Sequence, residues 1–498
     1  MQEISSGRLD PTGSEIQFDD IYIRSPGVAG EVTVSRPTAG ETRSQALGSD
    51  ALGRALEAQH VDTDYVIEIG DVSEEPTDTV VTSRSMAPDQ RGIEIQVPAT
   101  GEAWGQILLV TDENGIASWQ LPVDEVKQVD ATRGEAKVTF IIPGYVAQAK
   151  PSSDTRGVLG WLGKKVIRVL SFVLEDEIGK VGDFFASKWE SKKRPYALRR
   201  ITRDTYRVNK AGQLNAEDWR EFSEGRSLLL IHGTFSRAAS AFYELTPEFI
   251  DELNERYAGR VFAFDHKTLS EDPTDNAKYF VSSMPEGQVL DVDILCHSRG
   301  GHVSRMLAEG QADLPLEGKS LNVNQVVFVA SPNRGTVLTD PEYMSDFVDS
   351  YTNILSVLPD NLVTDVLEAV ITVVKELAVG ALKGLEGLQS MNPSGGYVVE
   401  YLNKGATSST IYRSVASDFD PTMPKFKPWA KDKLMDQIFR EENDLVVPTK
   451  GVYEKNGDGM FPIESDNRLD LPRAEEVHHG SFFGNHRVVE KLSSWLLG

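Results

Sequence analysis

The stretch Asp293-Ile294-Leu295-Cys296-His297-Ser298-Arg299-Gly300-Gly301 decides how the second half of the chain is read. An apolar run of strand type ends in a serine, and small residues then open a helix. A serine on a sharp strand-to-helix turn projects its hydroxyl from the edge of a sheet. The turn brings strand and helix backbones close together, so the flanking residues must be small. Gly300 and Gly301 meet that demand on the trailing side. Cys296 stands on the leading side, where glycine is usual, so this segment alone leaves an ordinary Ser-Arg-Gly-Gly turn open.

Outward from this stretch, strands and helices alternate from about residue 226. Arg226 to Ile231, Arg260 to Asp265, Val289 to Leu295, Asn324 to Ala330 and Ser409 to Ser417 are the strand candidates. Most have largely apolar centres, as strands buried on both faces do, and the alternation predicts a parallel sheet with crossover helices. Leu228-Leu229-Leu230-Ile231-His232-Gly233-Thr234-Phe235 is one such strand running into a His-Gly loop. A loop there can aim a backbone N–H, that of Thr234, at a reacting carbonyl. Together with the N–H of Arg299 it would form an oxyanion hole. Asn443-Asp444-Leu445-Val446-Val447-Pro448 puts an acid in a loop before an apolar run. Val477-His478-His479-Gly480-Ser481-Phe482-Phe483 precedes a final helix. The chain order is therefore Ser298, Asp444, His479.

These segments resemble the lipase and esterase branch of the α/β-hydrolase superfamily. The resemblance is carried by Ile231-His232-Gly233-Thr234, Cys296 to Gly301, Ser331-Pro332-Asn333-Arg334-Gly335-Thr336, Asp444-Leu445-Val446-Val447-Pro448 and His479, with Val261 to His266 similar to the strand before the nucleophile strand. It spans about 226–498. It implies an α/β-hydrolase fold with a mostly parallel sheet. It also implies a triad of Ser298, Asp444 and His479, with Thr234 and Arg299 as oxyanion donors. Competing assignments stay open. His478 competes with His479 as the base, and Asp418 and Asp420 compete with Asp444. His232, His297 and His302 read as structural. Cys296 lies within a strand end and reads as no nucleophile.

Residues 337–405 form an insertion of helical character. At about 100° per residue, Asp365, Glu368, Lys375, Glu376, Lys383 and Glu386 share an arc of roughly 100°. The rest of the surface from Val366 to Leu388 is apolar apart from Thr372. Such a helix covers an active site as a lid, or else packs permanently on a core or a dimer interface. Its broad apolar wall favours an acyl or otherwise apolar substrate group.

The first half reads differently. Residues 1–60 are rich in Ser, Gly, Thr, Pro and Asp and read as a mobile or weakly ordered arm. Residues 61–150 hold short β-type runs, at Tyr65–Ile69, Thr79–Thr82, Ile93–Val97, Gln106–Val110, Ala117–Leu121 and Val138–Ile142. Asp112-Glu113-Asn114-Gly115 supplies a hairpin turn, and the whole reads as a small β-sandwich-like domain. It carries no chemical constellation, so its expected role is structural or partner-binding. Residues 151–225 read as a helical linker, because apolar residues from Val158 to Phe185 recur mostly at three- and four-residue steps. Trp161, Lys164, Lys165 and Arg168 near its start allow a peripheral membrane contact; the alternative is a plain bridging helix.

Composition bounds the function. The 498 residues suit two or three domains. With 76 acidic and 51 basic residues, the net charge of -25 repels phosphate backbones and speaks against nucleic acid. One cysteine precludes an intrachain disulfide and fits a reducing compartment. Met1 to Gly7 shows no basic and apolar leader pattern, and no apolar run spans a bilayer, so the expected location is cytoplasmic. No histidine has metal-ligand spacing and no glycine loop cradles phosphate, so neither metal nor cofactor is expected. The expected activity is carboxylic ester hydrolysis through a Ser-His-Asp triad and an acyl-enzyme. The alternatives are an acyltransferase, thioesterase or amidase using the same triad, and a non-catalytic hydrolase-fold scaffold whose β-domain binds a partner.

Overall fold

The computed structural model describes residues 1–37, 50–74, 92–113, 115–123, 136–143, 163–174, 185–210, 212–355, 360–404, 409–419, 439, 441–454 and 463–498. They fall into two units. One combines Met1–Asp183 with Tyr351–Ala381, and the other combines Phe184–Ser350 with Leu382–Gly498.

The first unit is built on strands β1 (Gln2–Arg8), β2 (Ile16–Phe18), β3 (Ile21–Arg24), β4 (Val28–Arg36), β5 (Val61–Glu74), β6 (Gly92–Pro98), β7 (Trp104–Asp112), β8 (Ala117–Gln120), β9 (Lys137–Pro143) and β10 (Lys165–Val173). They pair antiparallel in two sheets, ordered β1-β4-β5-β10-β7-β8 and β2-β3-β6-β9. One buried cluster takes in Ile23, Ile95 and Phe140 from the smaller sheet and Val34, Ile67, Leu108 and Ile167 from the larger. Opposed inner faces sharing a core make a sandwich, as expected.

Its bounds differ from expectation. The described residues within 1–60 do not form an arm: β1 to β4 join the sheets, and a helix α1 (Asp50–Ala58) follows. In β4, Val32 and Val34 are buried while Thr33 and Ser35 are only half-buried, so the polar residues that suggested disorder occupy an outer face. The stretch read as a helix from 157 to 190 contains β10, an interior strand between β5 and β7. A strand buried on both faces loses its period of two, and its apolar run then mimics a helix. Lys165 and Arg168 are buried there, which removes the basic amphipathic helix that a membrane contact needed. Thr79–Thr82, Val158, Leu159, Trp161, Leu162, Ile178, Val181 and Asp420 lie outside the described residues.

The helix Asp360–Ala378 of the insertion belongs to this first unit and packs on α1 and β7. Thr372 Oγ1 donates to Gln59 Oε1 at 3.3 Å, and Lys375 Nζ lies 5.2 Å from the centre of the Phe172 ring. Its wide apolar surface is thus met by fixed packing, and the insertion does not fold wholly with the α/β unit.

The second unit contains β11 (Ala197–Arg200), β12 (Ser227–Ile231), β13 (Val261–Asp265), β14 (Val289–His297), β15 (Ser320–Val329), β16 (Ile411–Ser417) and β17 (Arg468–Leu471). The sheet order is β11-β13-β12-β14-β15-β16-β17. Strands β12 to β17 run parallel, and β11 is antiparallel to β13. This is a mixed, mostly parallel sheet with β14 at its centre. It starts before residue 226, because the supposed linker supplies β11 and the helix α2 (Phe185–Lys193). Strand β11 was hidden by its charge: Arg199 is fully buried, with Nε 2.8 Å from Asp265 Oδ2. Among the described residues no helix is long and apolar enough to cross a membrane.

Candidate active site

Ser298 leaves β14 with φ of +52°, a left-handed backbone that turns the chain sharply into the helix Gly300–Glu309. The flanking glycines are sterically required. A Cβ on Gly300 would fall 2.5 Å from the Ile231 carbonyl oxygen, and one on Gly301 would fall 2.5 Å from Ser331 Oγ. The leading position tolerates Cys296 because its side chain is buried beside a small neighbour, with Sγ 3.8 Å from Ser331 Oγ and donating to the Val327 carbonyl at 3.5 Å. Burial pushes its thiol up to about 12, so it stays protonated and unreactive at neutral pH.

Asp444 and His479 come to this serine from loops after β16 and β17. His479 Nε2 lies 3.0 Å from Ser298 Oγ, and Nδ1 lies 2.8 Å from Asp444 Oδ2. Asp444 is locked by its own turn: Oδ1 accepts the N–H groups of Val446 at 3.0 Å and Val447 at 2.7 Å. The His479 N–H donates to the Asp444 carbonyl at 3.0 Å, so backbone as well as side chain fixes the pair. Ser298, Asp444 and His479 are each 2% exposed or less.

The described competitors, His478 and Asp418, lie elsewhere. The His478 ring sits edge-on to Phe419, 5.6 Å between centres, and its Nδ1 accepts from the Gly480 N–H. Asp418 Oδ2 accepts from Arg473 Nε at 2.6 Å. On the other side of the serine, a Cβ on Gly233 would fall 2.5 Å from Ser298 Cβ and 3.1 Å from Oγ. Glycine therefore lets the backbone leading into Thr234 pass against the hydroxyl. Arg299, the other expected donor, follows Ser298 directly. Its guanidinium is fully buried and donates to the Gly387 carbonyl at 3.0 Å, to Asn276 Oδ1 at 2.8 Å and to the Glu271 carbonyl.

The sequence reading missed two residues around α2. Glu190, fully buried, accepts the N–H groups of Thr268 at 2.6 Å, Leu269 at 3.0 Å and Ser270 at 3.0 Å. Arg194, just past the helix, donates to the carbonyls of Phe235 and Ser236. A carboxylate beside Trp189 on the buried face of a helix was the available signal, but in sequence it resembles any amphipathic helix.

The structural histidines carry a pH dependence. Burial lowers His232 to about 4, His297 to about 3 and His302 to about 3. His232 is held neutral by its partners: Nδ1–H donates to the Gly233 carbonyl at 2.9 Å and Nε2 accepts the His266 N–H at 3.1 Å. His297 and His302 donate through Nε2 to the carbonyls of His479 and Pro332. Below the ordinary value of about 6.5 the unfolded chain binds protons that the folded one refuses, so stability is present above that pH and falls beneath it. We expect each of the three to remove up to about 1.4 kcal/mol per pH unit between about pH 6.5 and 4. Urea unfolding at pH 7, 6 and 5 measures this, and a flat midpoint would refute it.

The protein-family model described as a domain of unknown function, DUF7379, matches residues 193–497. The chain belongs to this family. The DUF7379 match takes in β11 to β17 and the loops that carry Ser298, Asp444 and His479. No curated protein matches the chain. Solved structures similar to it include the mature lipase BlEst2 of Bacillus licheniformis, at 16% identity over 54% of this chain and 91% of that one, with a TM-score of 0.32. Lipase 1 from Pelosinus fermentans is similar at 14% identity over 54% and 98%, with a TM-score of 0.37. The lipase of Staphylococcus hyicus is similar at 14% identity over 55% and 92%, with a TM-score of 0.30.

Proposed function

We propose that this DUF7379 protein is a serine hydrolase that cleaves a carboxylic ester through an acyl-enzyme. The observation that carries the reading is His479 poised between Ser298 Oγ at 3.0 Å and Asp444 Oδ2 at 2.8 Å. His479 Nε2 takes the hydroxyl proton as Oγ attacks the acyl carbon. The carbonyl electron pair moves onto oxygen, and the N–H groups of Thr234 and Arg299 stabilise that charge. His479 then returns the proton to the leaving alcohol. Water, deprotonated by the same imidazole, releases the acid. Asp444 holds the histidine with its proton on Nδ1.

The acyl group is apolar in this reading. Phe235, next to Thr234, faces Phe347 at 5.5 Å between ring centres, and Met391 Sδ lies 3.9 Å from Thr234 Oγ1. Because Ser298 is buried, substrate entry requires a covering segment to move, and we assign that lid-like part to the stretch of the insertion around Met391, whose sulfur lies against Thr234.

A fluorophosphonate probe followed by peptide mapping tests the reading, with p-nitrophenyl esters of rising chain length as substrates. We expect one label on Ser298, and hydrolysis of the esters with a preference for the longer acyl chains. A protein that neither labels nor turns over any ester would sink the proposal.

A further inference from the structure

The two backbone N–H groups proposed to hold the oxyanion belong to different loops, and a carbonyl developing charge is stabilised only if both are already aimed at it. The loop that carries Thr234 follows β12. Its Phe235 has φ of +61°, and the next two carbonyls, of Phe235 and Ser236, both accept from Arg194. The second donor, Arg299, is tied through its side chain to the segment that follows β13. There the N–H groups of Thr268, Leu269 and Ser270 point at Glu190, while the Glu271 carbonyl points at the Arg299 guanidinium. The Leu269 carbonyl accepts the Gly387 N–H at 2.8 Å, and the Gly387 carbonyl accepts from Arg299 Nε at 3.0 Å. Peptide groups thus bridge a buried anion and a buried cation, with donors facing one and acceptors the other. Burial of Arg299 disfavours its charge, and Glu190 is the foremost of the groups that restore it.

Glu190 and Arg194 stand four residues apart, and the Arg194 N–H donates to the Glu190 carbonyl at 2.8 Å, so both project from one continuous helical segment. We infer that α2 braces both proposed oxyanion donors, with Glu190 acting through residues 268–271 and the Arg299 side chain, and Arg194 acting through the Phe235 and Ser236 carbonyls. Both are positioning residues, and neither touches the reacting atoms. The inference rests on the proposed Ser298 chemistry and adds to it that the geometry of the hole is set by a segment before the parallel sheet. A misplaced donor weakens the transition state more than the ground state.

The full-length Glu190→Gln and Arg194→Met proteins test this, with turnover expressed per Ser298 labelled by the fluorophosphonate. We expect each to lower kcat by about 10- to 100-fold while KM changes by less than about 3-fold. Affinity for an alkyl trifluoromethyl ketone should fall in step with kcat. That inhibitor adds Ser298 Oγ to its carbonyl carbon, sends the proton to His479 and leaves an oxyanion. Glu190→Asp should recover part of the loss. A purely structural role would lower the melting temperature but leave kcat per labelled site unchanged, and that result overturns the inference. Should both variants fail to fold, Ser270→Ala decides, since it removes only the hydroxyl that donates to Glu190 Oε2 at 2.6 Å. A kcat loss of about 2- to 5-fold at unchanged melting temperature upholds the inference, and an unchanged kcat overturns it. If the unaltered protein itself takes no label, the proposed function fails first, and the two failures are told apart.

Discussion

Replacing Ser298 by alanine is expected to lower turnover of a p-nitrophenyl ester by roughly 10⁴- to 10⁶-fold, with KM little changed, by analogy with other triads. The size follows from what is removed. The hydroxyl faces His479 Nε2, at 3.0 Å, and lies against the Gly233 backbone. The chain's one thiol cannot replace it. The Cys296 thiol is buried, its burial pushes it up to about 12, and it donates to the Val327 carbonyl within the sheet. Alanine takes the left-handed backbone of position 298 at about the same cost as serine, so the fold should survive. Substantial activity in purified, folded Ser298→Ala protein would mean that the nucleophile is another group or that the measured turnover has another source.

Changing Asp444 to asparagine should cost about 10⁴-fold in kcat, for a different reason. Asp444 Oδ1 is occupied by the Val446 and Val447 N–H groups, which asparagine can still satisfy through its carbonyl oxygen. The amide nitrogen would then face His479 Nδ1 where a carboxylate oxygen now stands at 2.8 Å. A donor there forces the histidine proton onto Nε2, toward Ser298, and the imidazole can no longer accept the serine proton. The matching change Asp418→Asn loses only a surface pairing with Arg473 and should leave kcat within about 2-fold. Steady-state kinetics on the two variants compares the acid assignments, and the reverse outcome would transfer the role to Asp418.

How much of this was legible in the sequence depends on what each segment buries. The strands β12 to β16 announced themselves because a parallel sheet covered on both faces needs uninterrupted apolar runs. Ser298, Asp444 and His479 were legible as an ordered set, and the structure brings the three together. The choice of His479 over His478 was open in the sequence, since adjacent residues share composition and differ only in which way the loop points them. Strand β10 was misread because, with β5 on one side and β7 on the other, nearly all its residues are buried, and its polar members Lys165, Arg168 and Ser171 recur at three-residue steps as they would on a helix. Strand β11 was missed because Arg199 is buried against Asp265, a pairing across 66 residues that no local pattern reveals. Glu190 and Arg194 escaped for a related reason, as most of their partners are backbone groups, which have no sequence signature.

The membership of Tyr351–Ala381 in the first unit bears on how the protein is made. Translation runs from the amino terminus, yet the helix Asp360–Ala378 that covers α1 and β7 is encoded after β15. The sandwich therefore waits on the ribosome, with that surface bare, until most of the seven-stranded sheet has emerged. The α/β unit in turn cannot add β16 and β17 before the chain has passed through its neighbour. Synthesis of one unit is nested within that of the other, and each holds back the other's completion.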